Sequence, residues 1–384
     1  MTSALDLPTP ADAALRTSET LAAEIRAAIE RAGGWLDFAR YMELALYAPG
    51  LGYYSAGSAK LGAAGDFVTA PELSGALGRA LARTLEHELA GLAAPAVLEL
   101  GAGSGALAAQ ILDALEARGD ARTAYRILEP SADLRERQQS ALRRFGSRVA
   151  WLDGLPSTPF EGAIVANEVA DALPVSRFVK RAGEARPLGV ELRGGRFVWA
   201  EGPGDAELAA AVAAIERELD APLEDGYRSE ICRPLPAWLA ALAGCLTRGA
   251  VLLVDYGLTR REYYHPQRHA GTLVCHYRHR AHDDPFLYPG LQDISAWVDF
   301  SACAHAASAA GFTVAGFTTQ AQYLVASLAA DPPRPADGVA GLKELAALKT
   351  LLLPGEMGER FKVMLLRKHG ALAPLPGRDL RNRL

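Results

Sequence analysis

The sequence predicts an α/β fold: a mostly parallel sheet with helices on both faces and an antiparallel pair of strands at one edge. Three observations predict it. From residue 95 onward, short apolar runs alternate with helical patterns, as in the βα units of a parallel sheet. The first apolar run turns abruptly into a helix through a glycine-rich stretch. The last two apolar runs lack a long crossover between them, so they are expected to pair antiparallel.

The segment before the first strand predicts helices and a loop. Residues 1–15 are rich in Ala, Pro and Asp and are predicted to be disordered, and residues 16–94 form a helical N-terminal region with a lid. In this region the sequence predicts a helix that starts at Thr17–Thr20 and stops at Gly33-Gly34, a second helix over Trp35–Leu46 and a third at about 73–90.

The main domain is predicted over residues 95–368, with an insertion at about 175–248 and a C-terminal tail at 369–384. Residues 176–200 predict two or three antiparallel strands turning at Gly194-Gly195, whereas 258–295 shows little periodicity. The predicted strands are 96–100, 125–128, 149–151, 162–166, 250–254, 312–317 and 361–366. The predicted helices are 105–117, 131–144, 205–218, 235–247, 297–310, 320–328 and 340–350.

Composition excludes several classes of protein. The 384 residues carry a formal net charge of −5, which argues against a general nucleic-acid binder. No apolar run approaches the ~20 residues of a membrane span, and the first residues lack the pattern of a signal or transit peptide. Four scattered cysteines show no metal or disulfide spacing. We therefore expect a cytoplasmic protein with free thiols.

The glycine-rich turn predicts a nucleotide-type pocket. Gly101, Gly103 and Gly105 follow a strand that ends near Glu99, and the following helix start offers unpaired N–H groups. An acidic residue beside this turn would repel a pyrophosphate but suits a ligand with an ammonium and a sulfonium. S-adenosyl-L-methionine has both. A nicotinamide-dependent oxidoreductase is the weaker alternative, because its typical motif is GxGxxG.

Further acidic residues follow the other strands, where ligands of open parallel sheets bind. Glu129, after the second strand, is placed to accept hydrogen bonds from two ribose hydroxyls, and Asp153 follows the third strand. These two residues join the predicted cofactor site. The glycine-rich segment with Gly65, Asp66, Phe67 and Thr69 either connects two helices or covers the pocket.

Asn167, Glu168 and Asp171 follow the fourth strand and are the predicted catalytic residues. If the methyl acceptor is a guanidinium, two carboxylates fix its plane and aim one nitrogen at the methyl carbon. Glu168 and Asp171 are spaced to share one face of a helical turn. The alternative is that Asn167 and Glu168 only cap the following helix.

Histidines crowd the region 265–282, but their spacing completes no known zinc geometry, and we predict no metal site. A substrate-facing or solvated loop is the preferred interpretation.

Taken together, the ordered motifs over about residues 20–368 resemble the MidA family of class I methyltransferases. The matching segments are 38–47, 52–54, 65–72, 98–105, 166–168, 171–174, 255–257, 271–273, 293–295, 298–300 and 357–362. The resemblance implies a Rossmann-like class I methyltransferase sheet with an N-terminal helical extension and a β-rich insertion between strands four and five.

The resemblance also implies a function. Eukaryotic members of the family are mitochondrial complex I assembly factors that symmetrically dimethylate an arginine of a core subunit. It places the glycine turn, Glu129 and the segment Gly65–Thr69 at S-adenosyl-L-methionine, and Asn167-Glu168 at the acceptor. We expect a methyltransferase acting on an arginine of a protein, such as a respiratory complex I subunit or its bacterial counterpart. The alternative is a non-catalytic assembly protein that kept the fold and binds a partner.

Overall fold

The computed structural model describes residues 7–56, 69–330, 332, 338–370 and 374–384. The helices within these ranges are α1 (Asp12–Arg31), α2 (Phe38–Tyr47), α3 (Ala70–Leu73), α4 (Ala76–Leu89), α5 (Ala106–Ala117), α6 (Ala132–Ala141), α7 (Ala206–Leu219), α8 (Leu235–Cys245), α9 (Arg260–Tyr263), α10 (Phe300–Ala309), α11 (Gln320–Ala330), α12 (Gly338–Leu352) and α13 (Met357–Arg360). The strands are β1 (Trp35–Asp37), β2 (Ala96–Leu100), β3 (Ala124–Leu128), β4 (Val149–Leu152), β5 (Phe160–Asn167), β6 (Ser176–Arg181), β7 (Glu184–Arg193), β8 (Arg196–Glu201), β9 (Arg228–Ile231), β10 (Leu246–Leu258), β11 (Val274–Tyr277), β12 (Arg280–His282), β13 (Asp293–Ser295), β14 (Val298–Asp299), β15 (Thr313–Thr319) and β16 (Phe361–Lys368).

The main sheet has the strand order β15-β16-β10-β5-β2-β3-β4, with β14 joined to the end of β10. Strands β10, β5, β2, β3 and β4 are parallel, whereas β16 is antiparallel to both β10 and β15. The predicted α/β fold with an antiparallel pair at one edge is therefore confirmed. The reversed strand is β16, which lies one position in from the edge.

Helices cover both faces of this sheet because successive residues of its central strands point to opposite faces and both sets are buried and mostly apolar. Val97 and Val165 pack into a core with α4, α5 and α11, whereas Leu98 and Ile164 pack into a second core with α8 and α10. The central strands are buried on both sides, as expected for parallel strands between helical layers.

A second sheet, of order β1-β7-β6-β9 with β8 on β7, lies beside the main one. The predicted turn at Gly194-Gly195 is confirmed: both glycines have positive φ, 57° and 76°, and connect β7 to β8. The predicted helix over Trp35–Leu46 is wrong at its start, because Trp35–Asp37 is strand β1, paired antiparallel with β7. The Asp37 carboxylate then caps α2 by accepting the Ala39 N–H at 2.7 Å.

Helix α1 begins at Asp12, earlier than the start predicted at Thr17–Thr20. The hydroxyls of Thr17 and Thr20 donate to the carbonyls of Ala13 and Arg16, four residues back, instead of accepting from a following N–H. Threonine forms this bond inside a helix, so the capping pattern in the sequence was misleading.

The region 258–295, which lacks periodicity, contains a third sheet of order β12-β11-β13. Its strands are only three or four residues long, too short for a period to be recognised. No helix in the described part of the chain is both long enough and apolar enough to span a membrane.

A buried ion pair joins α4 to β16. The Arg367 guanidinium donates to the Glu88 carboxylate, with Nε 2.9 Å from Oε2, and the two side chains are 4% and 8% exposed. Replacing Glu88 by Ala leaves the guanidinium buried without this partner, and we expect unfolding free energy in urea to fall by about 3–5 kcal/mol.

The control for this prediction is Glu86→Ala, on the same helix. Glu86 pairs with Arg118 at 3.2 Å, but its side chain is 44% exposed, so its loss should cost about 0–1 kcal/mol. Equal losses for the two variants would contradict a special contribution of the buried pair.

Candidate active site

A cavity of about 760 Å³ opens at the carboxyl ends of β2, β3, β5 and β10. Parallel strands end at the same edge of a sheet, so polar residues that follow different strands meet here. Among the described residues, six carboxylates line the cavity, and four of them were predicted from the sequence. The six are Glu72, Glu99, Glu129, Glu168, Asp171 and Asp293.

The glycine turn between β2 and α5 forms part of the cavity wall. Gly101, Gly103 and Gly105 have φ values of 62°, 55° and 84°, a left-handed backbone that favours glycine. Gly101 and Gly103 line the cavity, whereas Gly105 is the residue from which α5 begins. The turn therefore brings bare backbone to the ligand side, as its sequence predicts.

Gln138 joins the glycine turn to Glu129 and was not recognised in the sequence. Its buried amide donates to the Gly103 carbonyl at 2.8 Å and to Glu129 Oε2 at 3.0 Å. The other oxygen of Glu129 accepts the Ser131 N–H at 3.0 Å. The Glu129 carboxylate is thus fixed at the end of β3, beside the turn, in a position from which it can accept hydroxyl donors.

Glu99 lies in β2 and lines the same cavity, with only 2% of its surface exposed. Its Oε2 accepts the hydroxyl of Tyr125 at 2.7 Å. Burial raises the pKa of the Glu99 carboxyl to about 7; the Tyr125 hydrogen bond opposes this rise and the nearby charge of Glu129 adds to it. A cationic ligand group would favour the ionised form.

The segment before α4 also contributes to the cavity. Thr69 and Glu72 line it, and the Ser104 hydroxyl of the glycine turn donates to the Glu72 carboxylate. Gly65, Asp66 and Phe67, predicted to contact the cofactor, lie outside the described residues.

Asp153, in contrast, is not brought to the cavity. Its side chain is 91% exposed, and its Oδ1 accepts from Arg135 Nη1 at 2.8 Å. Strand β4 is the outermost strand at its edge of the sheet, and Leu155 rather than Asp153 reaches the cavity from the segment that follows it. The prediction of a cofactor contact at Asp153 is not supported by this position.

The helical turn predicted for Glu168 and Asp171 is wrong, although both residues line the cavity. Residues 168–175 form bends and turns, and Glu168 has a left-handed φ of 53°, which interrupts a helix. The amides of Val169, Ala170 and Asp171 donate to Asp255 Oδ2 at 3.2, 3.0 and 3.3 Å. No helix follows for Asn167 and Glu168 to cap, so that alternative is wrong too.

The pKa values of the two carboxyls in the loop after β5, Glu168 and Asp171, are raised. Burial, and then the charge of Asp171, raises the pKa of Glu168 to about 8, and the amide of Asn167 opposes this rise at 3.3 Å. Burial raises the pKa of Asp171 to about 6, against a hydrogen bond from the Tyr256 hydroxyl. Carboxyls that titrate near neutral pH in a cleft are typical of functional sites.

Aromatic residues complete this side of the cavity, and no role was predicted for them from the sequence. Tyr47 and Tyr54 stack with ring centroids 5.5 Å apart, and Tyr256 and Trp297 meet edge to face at 6.2 Å. The Tyr54 hydroxyl donates to Asp293 Oδ1 at 2.9 Å. Tyr54, Asp293 and Tyr256 stand in segments that the family resemblance includes, which was the signal available in the sequence.

No group of three or more His, Cys, Asp or Glu side chains in the described ranges is arranged to hold a metal ion. Of the histidine-rich stretch, His276 reaches the cavity from β11. Burial lowers the pKa of His276, and the charge of His282 acts in the same direction.

Comparison with known proteins decides the family. The sequence model of a family described as "Putative S-adenosyl-L-methionine-dependent methyltransferase" matches residues 76–318. The chain belongs to this family. A crystal structure of a likely methyl transferase from Burkholderia thailandensis bound to S-adenosyl-homocysteine matches 96% of this chain and 97% of its own, with 44% identity and a TM-score of 0.89. A native crystal structure of an uncharacterized protein from the same organism covers 99% of this chain and 100% of its own, with 43% identity and a TM-score of 0.89.

More distant relatives carry functional names. The mitochondrial protein arginine methyltransferase NDUFAF7 of Mus musculus is 30% identical over 70% of this chain and 65% of its own length. The Danio rerio protein of the same name is 28% identical over 70% of this chain and 68% of its own. The chain thus spans about two thirds of the length of these relatives. The resemblance to the MidA family and the class I methyltransferase fold are confirmed.

The residues of this methyltransferase fit S-adenosyl-L-methionine. Glu129 offers acceptors at the end of β3, next to apolar side chains that suit a purine ring, and Glu99 offers a carboxylate for an ammonium. Those apolar side chains are Leu107, Leu128, Leu134 and Leu155. On the other side of the cavity, Asp171 Oδ1 is buried without a hydrogen-bond partner among the described residues.

The pH dependence of cofactor binding tests Glu99. With its pKa near 7 in the free protein, Glu99 is mostly protonated at pH 6 and mostly ionised at pH 8. Binding of the product S-adenosylhomocysteine, which carries an ammonium, should therefore tighten about tenfold from pH 6 to pH 8 in isothermal titration. Glu99→Gln should bind more weakly and lose this dependence, and Glu161→Gln, an exposed position in β5, should keep it. An unchanged pH dependence in Glu99→Gln would assign it to another group.

A second variant tests the glycine turn. A valine at Gly103 must adopt a left-handed backbone and adds a side chain at the cavity wall, so S-adenosylhomocysteine binding should weaken about tenfold or more. Gly119→Val is the matched control, since Gly119 has φ of 85° with open space around it, after α5. Both variants should lose about 1–2 kcal/mol of stability, and only Gly103→Val should lose affinity. Equal affinities would place the ligand elsewhere.

Proposed function

We propose that this methyltransferase transfers a methyl group to an arginine side chain of a protein. The observation that carries this proposal is that three carboxylates, Glu168, Asp171 and Asp293, line the cavity beside tyrosine and tryptophan rings. We call this part of the cavity the proposed acceptor side. A guanidinium is planar, cationic and rich in N–H donors, and it forms bidentate bonds with carboxylates and stacks on aromatic faces. The names of the NDUFAF7 relatives support the same acceptor.

We further propose that the acceptor protein is a respiratory complex I subunit or its bacterial counterpart, and that the protein works in the cytoplasm. The acceptor protein rests on the resemblance to the MidA family, whereas the location rests on the four scattered cysteines without disulfide spacing. The carboxylates of the cavity by themselves support a cationic acceptor side chain, whichever protein carries it.

The reaction needs orientation and one proton acceptor. S-adenosyl-L-methionine supplies a methyl group on a sulfonium: a guanidinium nitrogen bonds to the methyl carbon while the electrons of the carbon–sulfur bond stay on sulfur. The nitrogen then gives up one proton, because the methylated guanidinium keeps a single positive charge. Glu168 is our candidate for holding the nitrogen and receiving this proton. With its pKa near 8 the carboxyl is mostly protonated at neutral pH in the free protein, and the positive charge of a bound guanidinium would favour the ionised form that can take the proton.

Glu168→Gln tests this role. The amide keeps the shape of the side chain but cannot accept the proton or offset the cation, so methyl transfer should fall about a hundredfold or more. S-adenosylhomocysteine affinity should stay within about twofold. The measurement is mass spectrometry of methylarginine in a lysate from cells lacking this protein, incubated with the purified protein and S-adenosyl-L-methionine.

Glu161→Gln is the matched control, at the exposed start of the same strand β5, and should transfer as the unmodified protein does. Absence of new methylarginine with the unmodified protein, despite cofactor binding, would contradict the proposed acceptor. If cells carrying Glu168→Gln were then indistinguishable from normal ones, the non-catalytic assembly role would be favoured instead.

A further inference from the structure

Asp293 belongs to the acceptor side of the cavity although it is remote in sequence from the loop after β5. It begins strand β13 of the small third sheet, where it lies opposite His276 of β11, and both side chains line the cavity. Only 3% of Asp293 is exposed. A carboxylate this deeply buried needs donors or a cation nearby.

Tyrosine hydroxyls hold the two acidic residues that come from different elements. Tyr54 donates to Asp293 Oδ1 at 2.9 Å, and Tyr256 donates to Asp171. Tyr47, stacked on Tyr54, donates to the carbonyl of Ala172 at 2.9 Å, next to Asp171. The third sheet and the loop after β5 are therefore connected through side chains at the cavity.

The two carboxylates act on the same groups. The charges of Asp171 and Asp293 both raise the pKa of Tyr54, after burial, and both also raise the pKa of Glu168. Both charges therefore act on the part of the cavity around Tyr54 and Glu168, which is where we place the proposed acceptor. Asp171 Oδ1 adds a buried oxygen that lacks a hydrogen-bond partner among the described residues.

We propose that Asp293, positioned by Tyr54, is an acidic contact of the acceptor guanidinium, acting with Glu168 and Asp171, and that it selects the cationic side chain. The inference rests on the proposed arginine acceptor. A guanidinium presents five N–H donors in one plane, enough to reach carboxylates from more than one element. An uncharged side chain of the same shape would add no positive charge beside these carboxylates.

The experiment compares two small probes. The protein saturated with S-adenosylhomocysteine is titrated with acetyl-arginine amide and with acetyl-citrulline amide, its neutral counterpart, by ligand-observed NMR. The unmodified protein should prefer the arginine probe by about tenfold or more. Asp293→Asn should reduce this preference about tenfold, and Tyr54→Phe, which keeps the carboxylate but removes the tyrosine hydroxyl that donates to it, by an intermediate factor.

Two controls separate charge selection from misfolding. S-adenosylhomocysteine affinity should stay within about twofold in both variants. Asp283→Asn removes the same charge from an exposed position just after β12 and should keep the full preference. An Asp293→Asn protein that binds the cofactor product and still prefers arginine as strongly as the unmodified protein overturns the inference alone. An unmodified protein that shows no preference and forms no methylarginine in the lysate assay overturns the proposed function with it.

Discussion

The carboxylate of Asp255 holds the end of β10 against the loop that follows β5, and the proposed acceptor side of the cavity depends on it. Oδ2 accepts three consecutive loop amides, and Oδ1 accepts the N–H of Tyr256 at 2.9 Å. With these amides engaged by a side chain, the loop has no need of helical hydrogen bonds. Glu168 can then adopt its left-handed backbone, and both Glu168 and Asp171 reach the cavity. Each buried amide left without a partner would cost about 1–3 kcal/mol.

So many buried carboxylates are unfavourable in an empty cavity, and their environments show how this cost is reduced. Burial raises the pKa of Glu99, Glu168 and Asp171, so part of the charge is removed by protonation near neutral pH. Tyrosine hydroxyls and backbone amides stabilise the charge that remains. A pyrophosphate would add repulsion to this cavity, which is a physical reason against a nicotinamide dinucleotide. A sulfonium with an ammonium offsets the same charge.

Most of the main sheet was predictable because its signals are local. The strands and helices from β2 to β5 follow simple alternation, and the turn at Gly101–Gly105 carries its own signature. The strand at Trp35 could not be predicted, since it exists only through pairing with β7, more than a hundred residues away in sequence. The same holds for the loop at Glu168, whose shape is set by a carboxylate on β10. Asp153 differs from Glu129: both follow strands, but the Asp153 side chain is exposed and pairs with Arg135, which position after a strand does not reveal.

The two sides of the cavity therefore differ in construction. The residues that fit the cofactor, Glu99 to Gln138, lie within one stretch of chain on β2, β3 and the helices after them. The proposed acceptor side is assembled from α2, the loop after β5, the end of β10 and the third sheet. After α2, the N–H of Tyr54 donates to the carbonyl of Leu46 at 2.8 Å, which folds this segment back so that Tyr54 stacks on Tyr47 and reaches Asp293. Because β1 pairs with β7 and leads directly into α2, the second sheet fixes where these tyrosines stand. Substitutions in that sheet can thus alter the acceptor side while the cofactor side, on β2 and β3, stays intact.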